Sequence, residues 1–182
     1  MPFEFTILDA LQAPRCPVLD ALAVFFDAAG AHGELWIALT VLALAFRRTR
    51  KAGFAMALAL CLYMVSGHFI LKPLFARPRP CDIRPEMLTL VARPHGWSFP
   101  SGHTASGFAA AFALWFQNRK LGTLALLLAT FIGFTRLYLY VHFPTDILGG
   151  IALGLAAGAL GSLLADKISN RLSNCKEVKR TV

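Results

Sequence analysis

Three long, mostly apolar segments, at about residues 52–71, 121–140 and 145–166, constrain this chain more than any other feature. Each is long enough, as a helix, to cross a hydrocarbon core of roughly 30 Å. Three shorter apolar segments, at about 18–31, 33–47 and 102–117, extend the pattern. A soluble fold has little room here. Charged residues make up only 15% of the chain and hydrophobic ones 57%, against about 25% charged in an ordinary soluble domain. In hydrocarbon, backbone groups have no water to bond, so an apolar chain must satisfy them within helices or a closed barrel. The expected architecture is therefore all-α, a six-transmembrane-helix bundle forming a single membrane domain over residues 1–182. The same composition excludes intrinsic disorder, a collagen-like fibre and a disulfide-stapled secreted module.

The breaks between segments carry further information. Phe5 to Gln12 reads as a short N-terminal interfacial helix, ended by Pro14 and Pro17. The first apolar segment is the weakest, because it contains Asp20 and Asp27. A hairpin with Gly30 and Gly33 joins it to the second. The N-terminus has no Lys or Arg and so lacks the start of a secretory signal. Cys16, Cys61, Cys81 and Cys175 form no C-x-x-C pair, so neither a zinc site nor a disulfide is expected. Small residues at four-residue spacing near 154–161 predict close helix packing.

The net charge of +8 points to topology and not to nucleic acid, because the cations sit in short runs between apolar stretches. Six spans put both termini on one side. Arg15, Arg47, Arg48, Arg50, Lys51, Arg119, Lys120, Lys167, Arg171, Lys176, Lys179 and Arg180 then fall on the cytoplasmic face, as the positive-inside rule requires. Lys72, Arg77, Arg79, Arg84, Arg93 and Arg136 fall on the outer face. A positive cluster on the wrong side calls for another cause, and binding an anion supplies one.

Three clusters at the outer ends of spans carry the candidate chemistry. The first is Lys72-Pro-Leu-Phe-Ala-Arg77-Pro-Arg79-Pro80, whose alternative reading is cations snorkelling to the interface. In the second, Pro100-Ser101-Gly102-His103, Ser101 is placed to cap a helix and Gly102 lets backbone N–H groups approach a ligand. Such an N-terminus suits phosphate; the alternative is an ordinary cap with an interfacial His. The third runs from Thr135-Arg136 to His142 and Asp146. With Pro144 opening a helix, the Asp146 carboxylate can reach the His142 ring and leave its other nitrogen free as a base, nucleophile or ligand. Asp146 as a helix-start charge is the alternative. Ionisable groups are costly near a bilayer and mark function there, so three such clusters on one face favour a site.

The order Lys-x6-Arg-Pro, Pro-Ser-Gly-His and Arg-x5-His-x3-Asp resembles the type-2 phosphatidic acid phosphatase superfamily, whose fold core vanadium haloperoxidases share. Here it is carried by Lys72, Arg79-Pro80, Pro100 to His103, and Arg136, His142 and Asp146. Thr135 stands where the family usually has Ser. The resemblance implies a phosphatase/haloperoxidase-like core and a division of roles. His142 attacks phosphorus and forms a phosphohistidine. Asp146 holds the His142 ring. His103 protonates the leaving oxygen. Lys72, Arg79, Ser101, Gly102 and Arg136 hold the phosphoryl oxygens.

Phosphoryl transfer chiefly needs charge stabilisation and alignment, which three fixed cations and two imidazoles supply. No carboxylate cluster lies beside the motifs for a metal, so no cofactor is expected. The expected activity is a lipid phosphatase of the plasma or inner membrane, active on the extracytoplasmic face, with the lipid bilayer and a membrane lipid phosphate as partners and no nucleic acid. Arg77, Arg84 and Arg93 are surplus cations suited to a second phosphate, which favours a polyprenyl diphosphate such as undecaprenyl diphosphate. Phosphatidylglycerophosphate or phosphatidic acid is the alternative. A haloperoxidase fits less well, since the resemblance implies a larger, soluble enzyme for it and this chain has six apolar spans; a lipid transporter fits less well, since the motifs lie at span ends and not near a membrane midplane.

Overall fold

The six apolar segments fold as helices, most of them close to the expected bounds, while the last runs on to Val178, well past the expected end near 166. The structure, a computed structural model, describes residues 2–30, 33–87 and 89–178, the side chains of 172–178 excepted. Lys179 and Arg180, and the side chains of Cys175 and Lys176, lie outside the described residues. In chain order the helices are α1 (Pro2–Ala10), α2 (Pro17–Gly30), α3 (Glu34–Ala45), α4 (Arg50–Tyr63), α5 (Lys72–Phe75), α6 (Pro80–Ile83), α7 (Gly102–Gln117), α8 (Arg119–Tyr138) and α9 (Pro144–Val178). A π-helical segment, Met64–Leu71, joins α4 to α5. No strand occurs among the described residues.

The expectation of six spanning helices is corrected. Among the described residues three helical runs, Arg50–Ile83, Arg119–Tyr138 and Pro144–Arg171, are long and apolar enough to cross a membrane, or four if the bent pair α2 and α3 counts as one span. The reason is length. At 1.5 Å per residue, α2, α3 and α7, with 14, 12 and 16 residues, reach only about 18–24 Å, short of the hydrocarbon thickness. For α7, protein replaces lipid as its surroundings. Much of its length, including Ala105, Ala109, Ala110 and Ala113, is buried.

The centre of the bundle is α7, packed against α9, α8 and α4. Its partner α9 carries glycines at the contact. A Cβ on Gly154 would lie 2.6 Å from Phe108 Cβ and 2.7 Å from the Ala105 carbonyl oxygen. One on Gly158 would lie 2.9 Å from the Ala109 carbonyl. The predicted small-residue packing is thus backbone-to-backbone approach. Trp36, Met56, Tyr63, Phe108 and Ile132 fill the remaining core.

The helix α1 lies a few residues earlier than expected. It buries Phe5 and Leu8 with Tyr140 and Phe143, at the turn between α8 and α9, and leaves Phe3 exposed. The π segment was not foreseen. Gly67 lies within it at a close contact, where a Cβ would meet Leu153 at 2.8 Å and Tyr63 at 2.9 Å. The wider turn ends at Lys72 and so sets the direction in which that lysine leaves the bundle.

Gly154→Ala should cost about 1–3 kcal/mol, because the added methyl has nowhere to go. Leu163→Ala, on the exposed face of the same helix, should stay within about 0.5 kcal/mol of the parent. Thermal unfolding of the two purified variants in detergent measures the difference.

Candidate active site

Three chain segments bring their polar residues to one end of the bundle. The loop after α5 supplies Arg79, the first turn of α7 supplies His103, and the end of α8 with its following turn supplies Arg136 and His142. These four, with Lys72 and Arg93, line a cleft of about 650 Å³.

The turn that carries His142 is built from a helix stop. At the end of α8, Val141 N donates to Arg136 O (3.2 Å) and Tyr140 N to Leu137 O (3.0 Å), the paired bonds of a Schellman motif. Tyr140 takes the left-handed position, with φ 61°, where glycine is usual. Its strain is offset by burial and by two bonds: its hydroxyl donates to Asp9 (2.7 Å) and accepts from Arg84 (3.1 Å). The chain then reverses at His142 and enters α9 at Pro144, a residue suited to a first helical turn. Asp146 therefore stands one turn past His142, with its Oδ2 3.4 Å from His142 Nδ1.

The other ring nitrogen faces Arg79. Arg79 Nη1 lies 3.1 Å from His142 Nε2. A guanidinium only donates, so Nε2 must offer its lone pair and Nδ1 must carry the proton directed at Asp146. Arg79 is itself fixed by carbonyls, donating to Gly96 O (3.0 Å) and Val141 O (3.1 Å). Lys72 Nζ donates to Trp97 O at 2.6 Å. Burial pulls the His142 imidazole down to about 4, against the opposing hydrogen bond from Asp146, and the Arg79 charge adds to the depression. The ring is neutral at pH 7, with its lone pair available.

Across the cleft, Arg136 Nη1 lies 3.3 Å from His103 Nε2. Thr135 directs this arginine: its hydroxyl donates to Ile132 O (2.7 Å) and accepts from Arg136 Nη2 (3.0 Å). The hydroxyl that replaces the usual Ser thus serves a helix carbonyl and the arginine together. Arg136 Nη1 also donates to Asp27 Oδ1 at 2.5 Å. Gly30, one turn further along α2, leaves room for the His103 ring, since a Cβ there would lie 2.9 Å from His103 Cδ2.

Some expected site residues are placed elsewhere. Ser101 sits at the start of α7, but its side chain makes no cap bond. It is buried, accepting from the Thr104 hydroxyl (3.0 Å), while its N–H donates to Asp146 O (3.1 Å). Gly102 does line the cleft, facing the Tyr63 hydroxyl. The surplus cations divide. Arg77 pairs with Asp146 (2.6 Å) and Glu4 (2.6 Å), and Arg84 with Asp9 (2.8 Å). Neither lines the cleft, because buried or nearby carboxylates already hold their donors. Arg93 alone of the three lines it. Two residues went unforeseen. Ser98 is fully buried and its hydroxyl donates to Asp146 Oδ2; nothing in its local sequence marks it. Asp27 did carry a signal, as a carboxylate inside an apolar segment. Among the described residues no group of three or more His, Cys, Asp or Glu side chains is arranged to hold a metal.

The profile of the PAP2 superfamily matches residues 48–169. The chain belongs to that family. Over 84% of its length it is 29% identical to an undecaprenyl-diphosphatase of Sulfolobus acidocaldarius, covering 73% of that protein. It is 32% identical over 93% of its length to the putative undecaprenyl-diphosphatase YbjG of Escherichia coli, covering 87% of it. Two other curated relatives are matched over only about half of their length, 48% and 49%. Among solved structures, a PAP2-type phosphatidylglycerolphosphate phosphatase from Bacillus subtilis superposes with TM-score 0.76 at 26% identity, over 92% of this chain and 86% of that one. This PAP2 member is thus a multi-pass membrane protein and a phosphate-ester hydrolase of the lipid phosphatase class.

Proposed function

We propose that the chain hydrolyses a polyprenyl diphosphate, undecaprenyl diphosphate in kind, through a phosphohistidine formed on His142, without a metal. The observation that carries this reading is the orientation of His142. Its Nδ1 is turned to Asp146, and its Nε2 lone pair is turned into the cleft beside Arg79.

In the proposed reaction the terminal phosphoryl group enters between Lys72, Arg79 and Arg136, assisted by the N–H groups at Gly102. Its oxygens take over the guanidinium donors that now bond His142 Nε2 and His103 Nε2. His142 Nε2 attacks phosphorus, and the bond from phosphorus to the bridging oxygen breaks. His103, released from Arg136 and having taken up a proton as the phosphoryl group enters, gives that proton to the bridging oxygen, and the lipid monophosphate leaves. Water then attacks the phosphohistidine, giving up a proton to His103, and inorganic phosphate departs with His142 restored. Asp146 keeps the ring in one tautomer and offsets the charge that develops on it. The low-dielectric surroundings strengthen every cation-to-phosphoryl contact made here.

The names of the relatives favour a polyprenyl diphosphate. Arg93 is the remaining cation on the cleft for a second phosphate, with Arg77 and Arg84 engaged elsewhere. A glycerolipid phosphomonoester is the second reading, favoured by the named activity of the Bacillus structure. In either case the cleft opens on the extracytoplasmic face, a reading supported by the excess of cations at the opposite helix ends.

His142→Ala should lower kcat by at least about 10⁴-fold, and activity of the parent should survive EDTA but not orthovanadate, a five-coordinate phosphoryl mimic. Phosphate release is the assay, and undiminished turnover by His142→Ala rules the mechanism out. On substrate, kcat/KM should be higher for undecaprenyl diphosphate than for phosphatidic acid. Arg93→Ala should lower the former by about tenfold, the value of one partly exposed charge-assisted bond, and the latter little. Equal losses on both substrates would reduce Arg93 to a general attractor of anions. On topology, His95→Cys in a chain whose own cysteines are replaced by Ser should react with an impermeant thiol reagent on intact cells. Protection until the cells are opened places the cleft on the inner face.

A further inference from the structure

A buried chain of alternating charges runs from α1 to the candidate nucleophile. Glu4 Oε2 accepts from Arg77 Nη2 at 2.6 Å, and Arg77 Nη1 donates to Asp146 Oδ1 at 2.6 Å. The other oxygen of Asp146 faces His142 Nδ1. Thr145 closes the arrangement: its hydroxyl lies 2.6 Å from both Glu4 Oε1 and Arg77 Nη1. The side chains of Glu4, Arg77 and Asp146 are 11%, 15% and 0% exposed, so water screens their mutual field weakly. The Arg77 guanidinium also lies 4.2 Å over the Phe143 ring, which packs edge-on against Phe5 of α1 at 5.3 Å.

We propose that Glu4 and Arg77 are positioning residues for the reaction at His142. The rigid guanidinium fork fixes Asp146 Oδ1, leaving Oδ2 to orient the imidazole. Glu4 counterbalances Arg77, so that the arginine holds Asp146 without cancelling its field at the ring. Asp146 touching Arg77 alone would be a neutralised carboxylate, a weaker partner for an imidazole that becomes positive as it attacks. The short α1 is then a part of the reaction centre and not only a cover over the α8–α9 turn. This inference rests on His142 being the nucleophile.

The sign of the effect distinguishes positioning from bracing. The groups facing His142 are Asp146 on α9, Arg79 and Lys72 from the segments before α7, His103 on α7, and the neutral Ser98 hydroxyl. With those unchanged, removing the Glu4 charge leaves Arg77 unopposed and disfavours the imidazolium. Removing the Arg77 charge does the reverse.

The test is the pH dependence of kcat/KM for undecaprenyl diphosphate, with the purified full-length chain in detergent micelles. Glu4→Gln should move the acid limb to lower pH and Arg77→Gln to higher pH, each by about half a unit. In both, kcat should fall about tenfold with KM within about twofold of the parent, as expected for a misaligned nucleophile. The double variant should return the limb toward its parental position. Asp9→Asn, which loosens α1 at its other ion pair, should leave the limb in place. Limb position does not depend on the fraction of active enzyme, so a poorly folding variant still reports it. Unmoved limbs, or limbs moving the same way in Glu4→Gln and Arg77→Gln, overturn the inference while His142→Ala stays inactive. Turnover by His142→Ala would instead overturn the reading on which it rests.

Discussion

The Asp146 carboxylate is the interaction on which the rest of the site depends. It is wholly buried, and a buried carboxylate is tolerable only when its lone pairs are matched. Here they are matched by four residues from three parts of the chain. Arg77 takes Oδ1, while Ser98, the Phe143 N–H and the His142 ring converge on Oδ2. The loop before α7, the turn after α8 and the first turn of α9 thus share one anchor, and through Arg77 the anchor extends to α1. Removing the carboxylate would cost Arg77 one of its two ion pairs and release a turn together.

On the opposite wall of the cleft, charge is handled differently. Arg136 is buried and its partner Asp27 is partly exposed at the cleft. The cleft therefore carries its own anion, already paired with Arg136. Among the described residues the Arg79 donors rest instead on carbonyls and on a lone pair of His142. Two cations that look equivalent in sequence thus sit in the cleft with different partners, one on a carboxylate and the other on carbonyls and an imidazole.

What the sequence revealed divides by distance along the chain. His142 and Asp146 are four residues apart with a proline between them, so helix geometry alone predicts their contact. Lys72, Arg79 and His103 stand in short motifs at helix ends and could be placed by those motifs. Ser98 meets Asp146 across 48 residues and Glu4 meets Thr145 across 141, and no local pattern encodes either meeting. Arg77 and Arg84 looked free for the same reason, since their carboxylate partners come from α1 and α9. Apolar segments located the helices well but overstated the spans, because sixteen alanine-rich residues wrapped in protein, as in α7, read the same as sixteen meant for lipid.

The glycine contact between α7 and α9 sets an altitude. Gly150, Gly154 and Gly158 recur once per turn along the face that meets α7, and each lets a backbone settle into a notch that a methyl group would fill. Sliding α9 along α7 by a fraction of a turn would lift all three out of their notches at once. His103 rides at the top of α7, and Asp146, with His142 in its grip, at the top of α9. The relative height of His103 and Asp146 is therefore set not at the cleft but about 6–18 Å from it along the bundle, at 1.5 Å per helical residue. The alignment of the two helix ends that carry the polar residues is kept by residues with no charge and no side chain.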